Sequence, residues 1–346
     1  MSDLYTEAGV DIEAGHEVVN RIKDKVKSTH TGSVLTGIGS FGALYDLKEI
    51  ISKYIEPVLV QSIDGVGTKL IVAEMMNVYD SVGKDIVNHS CNDIVAMGAR
   101  PITFLDYVAH QKLDPDIMEK MVFGMADACK ENNVSLIGGE TAEMPGVYLP
   151  SQHDIAGCIT GIVERNKIIT GEKIQSGDIV LGFASNGLHT NGYSLARKLL
   201  FEIAGHKVDS IIPELNESVG QTLLRPHINY TNPIFALLDG GVDIKGIAHI
   251  TGGGFLDNIP RVLPKDLDAV IQKGTWPVLP IFGVMQKIGN VSEQEMYRVF
   301  NMGIGLVFIV SPSELERTKQ ILKEYSNFDL YQIGQIASGD QKVILK

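Results

Sequence analysis

Short apolar runs and amphipathic stretches take turns along this chain, and the series is played through twice. That alternation restricts the fold more than any other feature. The runs "PVLVQSI", "PITFLDYVAH", "VSLIGG" and "DIAGCITGIV" have the composition and length of strands. Helical patterns lie among them, at 10–27, where Val18, Ile22 and Val26 recur four apart, and at 69–78, 81–98 and 114–132. After "ERNKIITGEKIQSGD" the series restarts with the strand "IVLGFAS". It continues with helices at 192–204 and 232–239, the strand "IAHI", a helix at 255–262, the strand "DAVIQ" and helices within 280–300. The strand "IGLVFIV", a helix at 312–324 and two closing strands complete it. The pattern predicts an α/β (α+β) fold, and 346 residues are too many for one comfortable core. We expect two domains, 1–168 and 169–346.

Composition narrows the function classes. A net charge of −12 argues against a general nucleic-acid or anionic-membrane binder. No apolar run approaches the ~18 residues of a membrane span, and the acidic start "MSDLYTEAGVDIEAG" lacks the apolar core of a secretory leader. The three cysteines, Cys91, Cys129 and Cys158, show no pairing or metal spacing, which fits reduced thiols and a cytoplasmic protein. An acidic chain still binds phosphates where backbone amides, a few lysines and a metal ion gather locally.

Several motifs offer such gatherings. "DGVGTK" is not a Walker A loop, because Thr68 precedes Lys69 and the spacing is too short. Asp64 is expected at a strand's end, before a glycine turn and a helix start. There it either holds Mg²⁺, while Gly65, Gly67, Thr68 and Lys69 meet phosphate, or caps the helix as an Asp-Gly turn. On the 81–98 helical wheel Asp93 falls between Val82 and Ile86, with His89 beside Val82 and Met97 on the same side. An aspartate on an apolar stripe needs a cation or a buried partner. "GGETAEMPG" ends a strand with Gly138 and Gly139 and presents Glu140, with Glu143 three residues on. "GIGSFG" matches Gly-x-Gly-x-x-Gly at Gly37, Gly39 and Gly42 but follows a lysine-rich helix end rather than a strand, so a dinucleotide fingerprint is not supported. A loop closing over a nucleotide and a solvated loop both remain open. In the second half, "SNGLHTNGYSLAR" opens a helix with Thr190 or Asn191 as N-cap, and "AHITGGGFLDNIP" puts Gly252, Gly253 and Gly254 between a strand and a helix. Both suit an anion. His189 and His249 flank these loops.

Together, "AGVDIEAG", "GIGSFGALYDL", "DGVGTKL", "CNDIVAMGA", "FLDYVA", "GGETAEMPG", "HTNGYSLAR", "HITGGGFLDNIPRVLP" and "EMYRVFNMGIG" follow in order nearly end to end. The chain resembles the phosphoribosylformylglycinamidine cyclo-ligase, or aminoimidazole ribonucleotide synthetase, family. The resemblance implies a homodimer whose N-terminal domains pair into a β-barrel and bind ATP near that pairing, with C-terminal domains contributing to the substrate site. It implies ATP-dependent ring closure of formylglycinamidine ribonucleotide in purine biosynthesis, through a phosphorylated amide. Asp64, Asp93 and Glu140 would then hold Mg²⁺, with K⁺ a candidate further ion. Lys23, Lys69, the loop glycines Gly37, Gly39 and Gly42, and Gly65, Gly67 and Thr68 would serve ATP. Gly139, Asn191, Gly192 and Gly252–Gly254 would hold the phosphoribosyl substrate. Lys69 would assist the chemistry. His189, then His249, would be the base. Some relatives carry an Asp-Asp doublet where this chain has Asp64-Gly65, and aspartate where it has His249. The alternatives are another ATP-dependent enzyme of the same fold, such as a small-molecule kinase, or a non-catalytic nucleotide-binding relative.

Overall fold

The computed structural model describes residues 9–346. The acidic opening segment read above lies, through residue 8, outside the described residues. The chain divides into two units. One runs to Ile94 and adds Ala99–Asn166, while the other joins Val95–Gly98 to Lys167–Lys346.

The first unit is built on a four-stranded sheet in the order β1-β4-β2-β3, with β1 (Pro57–Gly65), β2 (Arg100–His110), β3 (Ser135–Glu143) and β4 (His153–Glu164). β4 is antiparallel to both neighbours, and β2 and β3 are parallel. Helices α1 (Ile12–Lys27), α2 (Lys69–Met76), α3 (Asp80–Val95) and α4 (Pro115–Glu131) join it, with a single helical turn at Lys48–Ile51. Asp11 caps α1 by accepting from the Ala14 amide, and Val18, Ile22 and Val26 form its buried stripe. Asp114 caps α4, with Pro115 in the first turn where its missing N–H costs nothing. α3 and α4 cross in backbone contact: a Cβ on Gly83 would lie 2.0 Å from the Met121 carbonyl oxygen, and one on Gly124 2.0 Å from that of Asp80. α3 stops at Val95, so Met97 falls beyond the wheel's apolar stripe and is 40% exposed. One register row, Ile63–Cys158–Leu105, crosses β1, β4 and β2. Ile63 and Leu105 on that row, and Leu59 further down β1, stay exposed, so this sheet face is uncovered.

The second unit holds a six-stranded sheet, β10-β7-β9-β5-β8-β6, antiparallel except for β10 and β7. Its strands are β5 (Ile179–Ala184), β6 (Ile244–His249), β7 (Leu267–Ile271), β8 (Ile304–Val310), β9 (Leu330–Ser338) and β10 (Val343–Leu345). All seven β8 residues are buried, which is why "IGLVFIV" shows no alternation. Phe183 packs between Tyr230 and Phe308 in the core. The two closing strands do not pair with each other. The Asp268 carboxylate accepts from the Asp340 and Lys342 amides at 2.8 Å and turns β10 onto β7.

Among the helices, α5 (Tyr193–Arg197) continues as a wider π turn to Ile203. α6 (Val219–Leu224) carries a Ser218–Gln221 capping box that the periodicity reading passed over. α7 (Thr231–Asp239), α8 (Gly254–Asn258), α9 (Pro280–Gly289), α10 (Glu293–Val299) and α11 (Leu315–Leu322) follow.

Candidate active site

β1 runs through Asp64, which is therefore the penultimate residue of a strand rather than the cap of a helix. Its Oδ1 accepts from the Gly65 amide at 2.7 Å, and its Oδ2 lies 2.7 Å from His89 Nε2. Asp93, one turn along α3 from His89, has its Oδ2 3.7 Å from the same nitrogen and accepts from Ser62 Oγ at 3.4 Å. The His89 side chain is 5% exposed, against 45% for Asp64 and 24% for Asp93. A buried imidazole thus underlies two partly open carboxylates. Burial alone would lower the His89 pKa. The hydrogen bond to Asp64 and the charges of Asp93, Asp64 and Asp85 outweigh it, and the pKa is raised. The N-cap of α2 is Thr68, so Asp64 does not cap that helix. Oxygen donors held by an imidazole donor fit a hard cation such as Mg²⁺.

Lys69 departs from expectation. Its side chain is fully buried, and its Nζ pairs with the equally buried Asp85 carboxylate at 2.7 Å. Burial lowers its pKa, while Asp85 opposes that shift. A lysine starting a helix that packs inward points its ammonium into the core, so Lys69 ties α2 to α3 instead of reaching phosphate. The exposed residues of the motif are Asp64 and the turn at Gly67 and Thr68.

Glu140 lies elsewhere in the same unit. The strand does not end at Gly139 but continues to Glu143, placing Glu140 within β3. β4 and β2 intervene between β1 and β3. At about 4.8 Å per strand that separates Asp64 from Glu140 by roughly 14 Å. The expected triad of Asp64, Asp93 and Glu140 is not gathered within one sheet. Glu140 instead lines a cavity of about 760 Å³ with α1, the loop glycines Gly37, Gly39 and Gly42, Gly139 and Asp106. The loop is a hairpin-like strap: Leu35 and Leu44 bond across it, as do Ser33 and Asp46, and Phe41 at its tip is fully exposed. Lys23 is exposed on α1 and is not among the cavity's lining residues. Glu143 braces the α1 entry, accepting from the Asp11 and Leu113 amides at 2.6 and 2.8 Å.

Asp106, inside "FLDYVA", is a site residue that motif reading did not single out. A Cβ on Gly139 would lie 2.3 Å from its Oδ1, so the glycine makes room for the carboxylate. Burial, with the Glu140 charge adding, raises its pKa to about 7.

In the second unit three buried imidazoles meet: His189, His227 and His249. His189 takes a left-handed backbone, φ +61°, and Tyr193 Oη donates to its carbonyl at 3.1 Å. Its ring stacks on His227 with centroids 4.0 Å apart. A Cβ on Gly305 would lie 2.5 Å from His189 Cε1 and 2.2 Å from Tyr230 Oη, so "MGIG" makes room for the ring. His227 Nε2 is 3.0 Å from His249 Nε2. Asn301 secures the first glycine loop, accepting from Ser185 Oγ at 3.0 Å and donating to the Gly187 carbonyl at 2.9 Å. Asn258 secures the second, its Nδ2 donating to the Thr251, Gly252 and Gly254 carbonyls. Asn191 Oδ1 lies 3.3 Å from where a Gly252 Cβ would be, so the two loops adjoin. The cap of α5 is Gly192, at φ +79°, rather than Thr190 or Asn191, and a Cβ at that position would strike the Phe300 ring. His227 was invisible to sequence reading, since "RPHINY" has neither glycine loop nor periodicity.

A two-unit α/β architecture with acidic strand ends and adjoining glycine loops is that of the AIR synthase related proteins. The model of their N-terminal domain matches residues 52–163 and that of their C-terminal domain residues 175–346. Curated relatives of the chain carry the name phosphoribosylformylglycinamidine cyclo-ligase. That of Bifidobacterium animalis subsp. lactis is 46% identical over 337 residues, covering 97% of each chain. That of Geobacillus thermodenitrificans is 48% identical over 339 residues, covering 98% of this chain and 97% of its own. The chain belongs to the phosphoribosylformylglycinamidine cyclo-ligase family, ligases of purine biosynthesis. Solved structures share the fold: thiamine-monophosphate kinase from Stenotrophomonas maltophilia (TM-score 0.67, 18% identity, 94% of this chain and 96% of that one) and hydrogenase maturation protein HypE in complex with ATP (0.67, 17%, 96% and 91%).

Proposed function

We propose that the chain closes the ring of formylglycinamidine ribonucleotide with ATP, giving aminoimidazole ribonucleotide, ADP and phosphate. The likeness to relatives of the cyclo-ligase name, at 46 and 48% identity over almost the whole chain, carries this reading. The chemistry needs an activated amide oxygen, because that oxygen is a poor leaving group. The γ-phosphoryl group moves from ATP to the formyl oxygen, releasing ADP and leaving a phosphoryl imidate. The amidine nitrogen attacks the imidate carbon, the C–O bond breaks, phosphate departs with the electron pair, and the nitrogen gives up a proton.

Phosphoryl transfer asks chiefly for positioning and charge neutralisation. Asp64 and Asp93, oriented by His89, would hold Mg²⁺, which neutralises triphosphate charge when bound. The Gly67–Thr68 turn offers backbone and hydroxyl groups to the phosphates. The strap at 37–43 closes over the nucleotide and keeps water out. In the second unit, Asn191, Gly192 and Gly252–Gly254 hold the ribose phosphate, and His189 accepts the proton released on ring closure. Pairing of two first-unit sheets in a homodimer would cover the open apolar face. Joining the β3 edge of one copy to the β1 edge of the other is the arrangement that brings Glu140 towards an Asp64. No helix among the described residues is long and apolar enough to cross a membrane.

The mechanism is tested with substrate labelled with oxygen-18 at the formyl oxygen. The label is expected in the released phosphate. Its appearance in water or its retention in the product would contradict activation by phosphorylation.

A further inference from the structure

Asn258, the last residue of α8, turns back onto the glycine loop that precedes its own helix and is 3% exposed. Its Nδ2 donates to the carbonyls of Thr251 at 3.3 Å, Gly252 at 3.2 Å and Gly254 at 2.8 Å. Its Oδ1 accepts from Thr251 Oγ1 at 3.3 Å. The three carbonyls can only accept, so the nitrogen of the amide, and not its oxygen, must face them. In a trans peptide the C=O and N–H of one plane point in opposite directions. With these carbonyls gathered on Asn258, the N–H groups of Gly252, Gly253 and Phe255 are turned away from it. None of the three donates to a protein acceptor among the described residues. Gly253 and Gly254 reach this arrangement through left-handed backbone, φ +96° and +55°. Successive amides turned the same way form a concave patch suited to an oxyanion. The Asp257 carboxylate flanks the loop, its Oδ2 2.9 Å from where a Gly253 Cβ would be, and Arg298 Nε lies 4.0 Å from it to offset its charge.

We propose that Asn258 is a positioning residue for the phosphoribosyl substrate: by holding three carbonyls on one side of the loop, it presents the Gly252 and Gly253 amides to the substrate's phosphate. This rests on the cyclo-ligase reading, in which the loop holds that phosphate. Asn258 acts through the loop backbone and does not itself touch the substrate.

The test uses Asn258→Asp, which keeps the size and shape of the side chain but puts an acceptor where the loop carbonyls need a donor. Its KM for formylglycinamidine ribonucleotide is expected to rise about tenfold or more, the scale of losing a hydrogen bond to a charged group, with kcat and the KM for ATP within about twofold. On the riboside, which lacks the phosphate, wild type and variant should be equally slow. A merely structural role would lower the melting temperature without separating the two substrates. A second readout needs no turnover. In protein carrying nitrogen-15 glycine, inorganic phosphate should shift the Gly252 amide signal of wild type, assigned by its loss in Gly252→Ala, and should shift it far less in Asn258→Asp. Thr251→Val, which releases Asn258 Oδ1, should raise the same KM by a smaller factor and replaces Asn258→Asp should that variant not fold. An unchanged KM for the ribonucleotide in the folded variants, an equal loss on the riboside, or a wild-type Gly252 amide that phosphate does not move overturns the proposal. A wild type that makes no product defeats the cyclo-ligase reading, while the phosphate titration still decides the role of Asn258.

Discussion

Asp64 carries more of the proposed chemistry than any other single side chain in the first unit, and its geometry explains why substitution there is selective. The carboxylate is 45% exposed and bonds His89 and its own neighbour's amide, so removing its charge leaves no void. Asp64→Asn is expected to lower kcat/KM by at least about a hundredfold while circular dichroism and melting stay close to wild type. Near-normal turnover would remove Asp64 from the account. His110 and His153 give a different, pH-dependent prediction. They face each other across β2 and β4, Nδ1 to Nδ1 at 2.7 Å. Burial and then the neighbouring His153 push His110 down to about 4, and burial also lowers His153. The unfolded chain therefore binds more protons than the folded one between about pH 6.5 and 4. Stability contributed by the neutral pair is full above pH 6.5 and is lost as pH falls towards 4, by roughly 3 kcal/mol at most for His110. Chemical denaturation across that range should show a decline that His110→Phe flattens. Equal slopes in both proteins would contradict it.

Elements, not residues, decide what Lys69 does. α2 and α3 are joined by the buried Lys69–Asp85 pair, and breaking one side strands a charge in the core. Lys69→Met is expected to destabilise the protein by about 3–5 kcal/mol, and Lys69→Met combined with Asp85→Leu to recover much of that loss. A stable, inactive Lys69→Met would instead restore the phosphate-contact reading. Nearly every strand and helix was legible in the pattern of apolar residues, because burial on one face writes a period into the sequence. "IVLGFAS", "IGLVFIV" and the helix at 10–27 are examples. What stayed hidden has a common cause. The Lys69 direction, the separation of Asp64 from Glu140 and the meeting of His227 with His249 depend on strand order and helix facing, which local pattern does not encode. Asp106 was hidden for a related reason, since only the neighbouring Gly139 on β3 explains it.

For the whole molecule, an open four-stranded sheet with one bare apolar face is the feature that asks for a partner. Leu59, Ile63 and Leu105 are 57, 75 and 41% exposed on that face. Ile63→Glu should shift a dimer to monomer in sedimentation and lower turnover along with it, without changing the secondary structure. A variant that stays dimeric would separate this face from the interface. The central claim, that this fold joins ATP chemistry to ring closure, is tested most directly by product stoichiometry. Purified protein is mixed with formylglycinamidine ribonucleotide, Mg²⁺ and ATP, and ADP is followed together with the aromatic amine of the aminoimidazole. The account predicts equal amounts of both, each requiring every reactant. ADP without the amine, or neither product from folded protein, would contradict it.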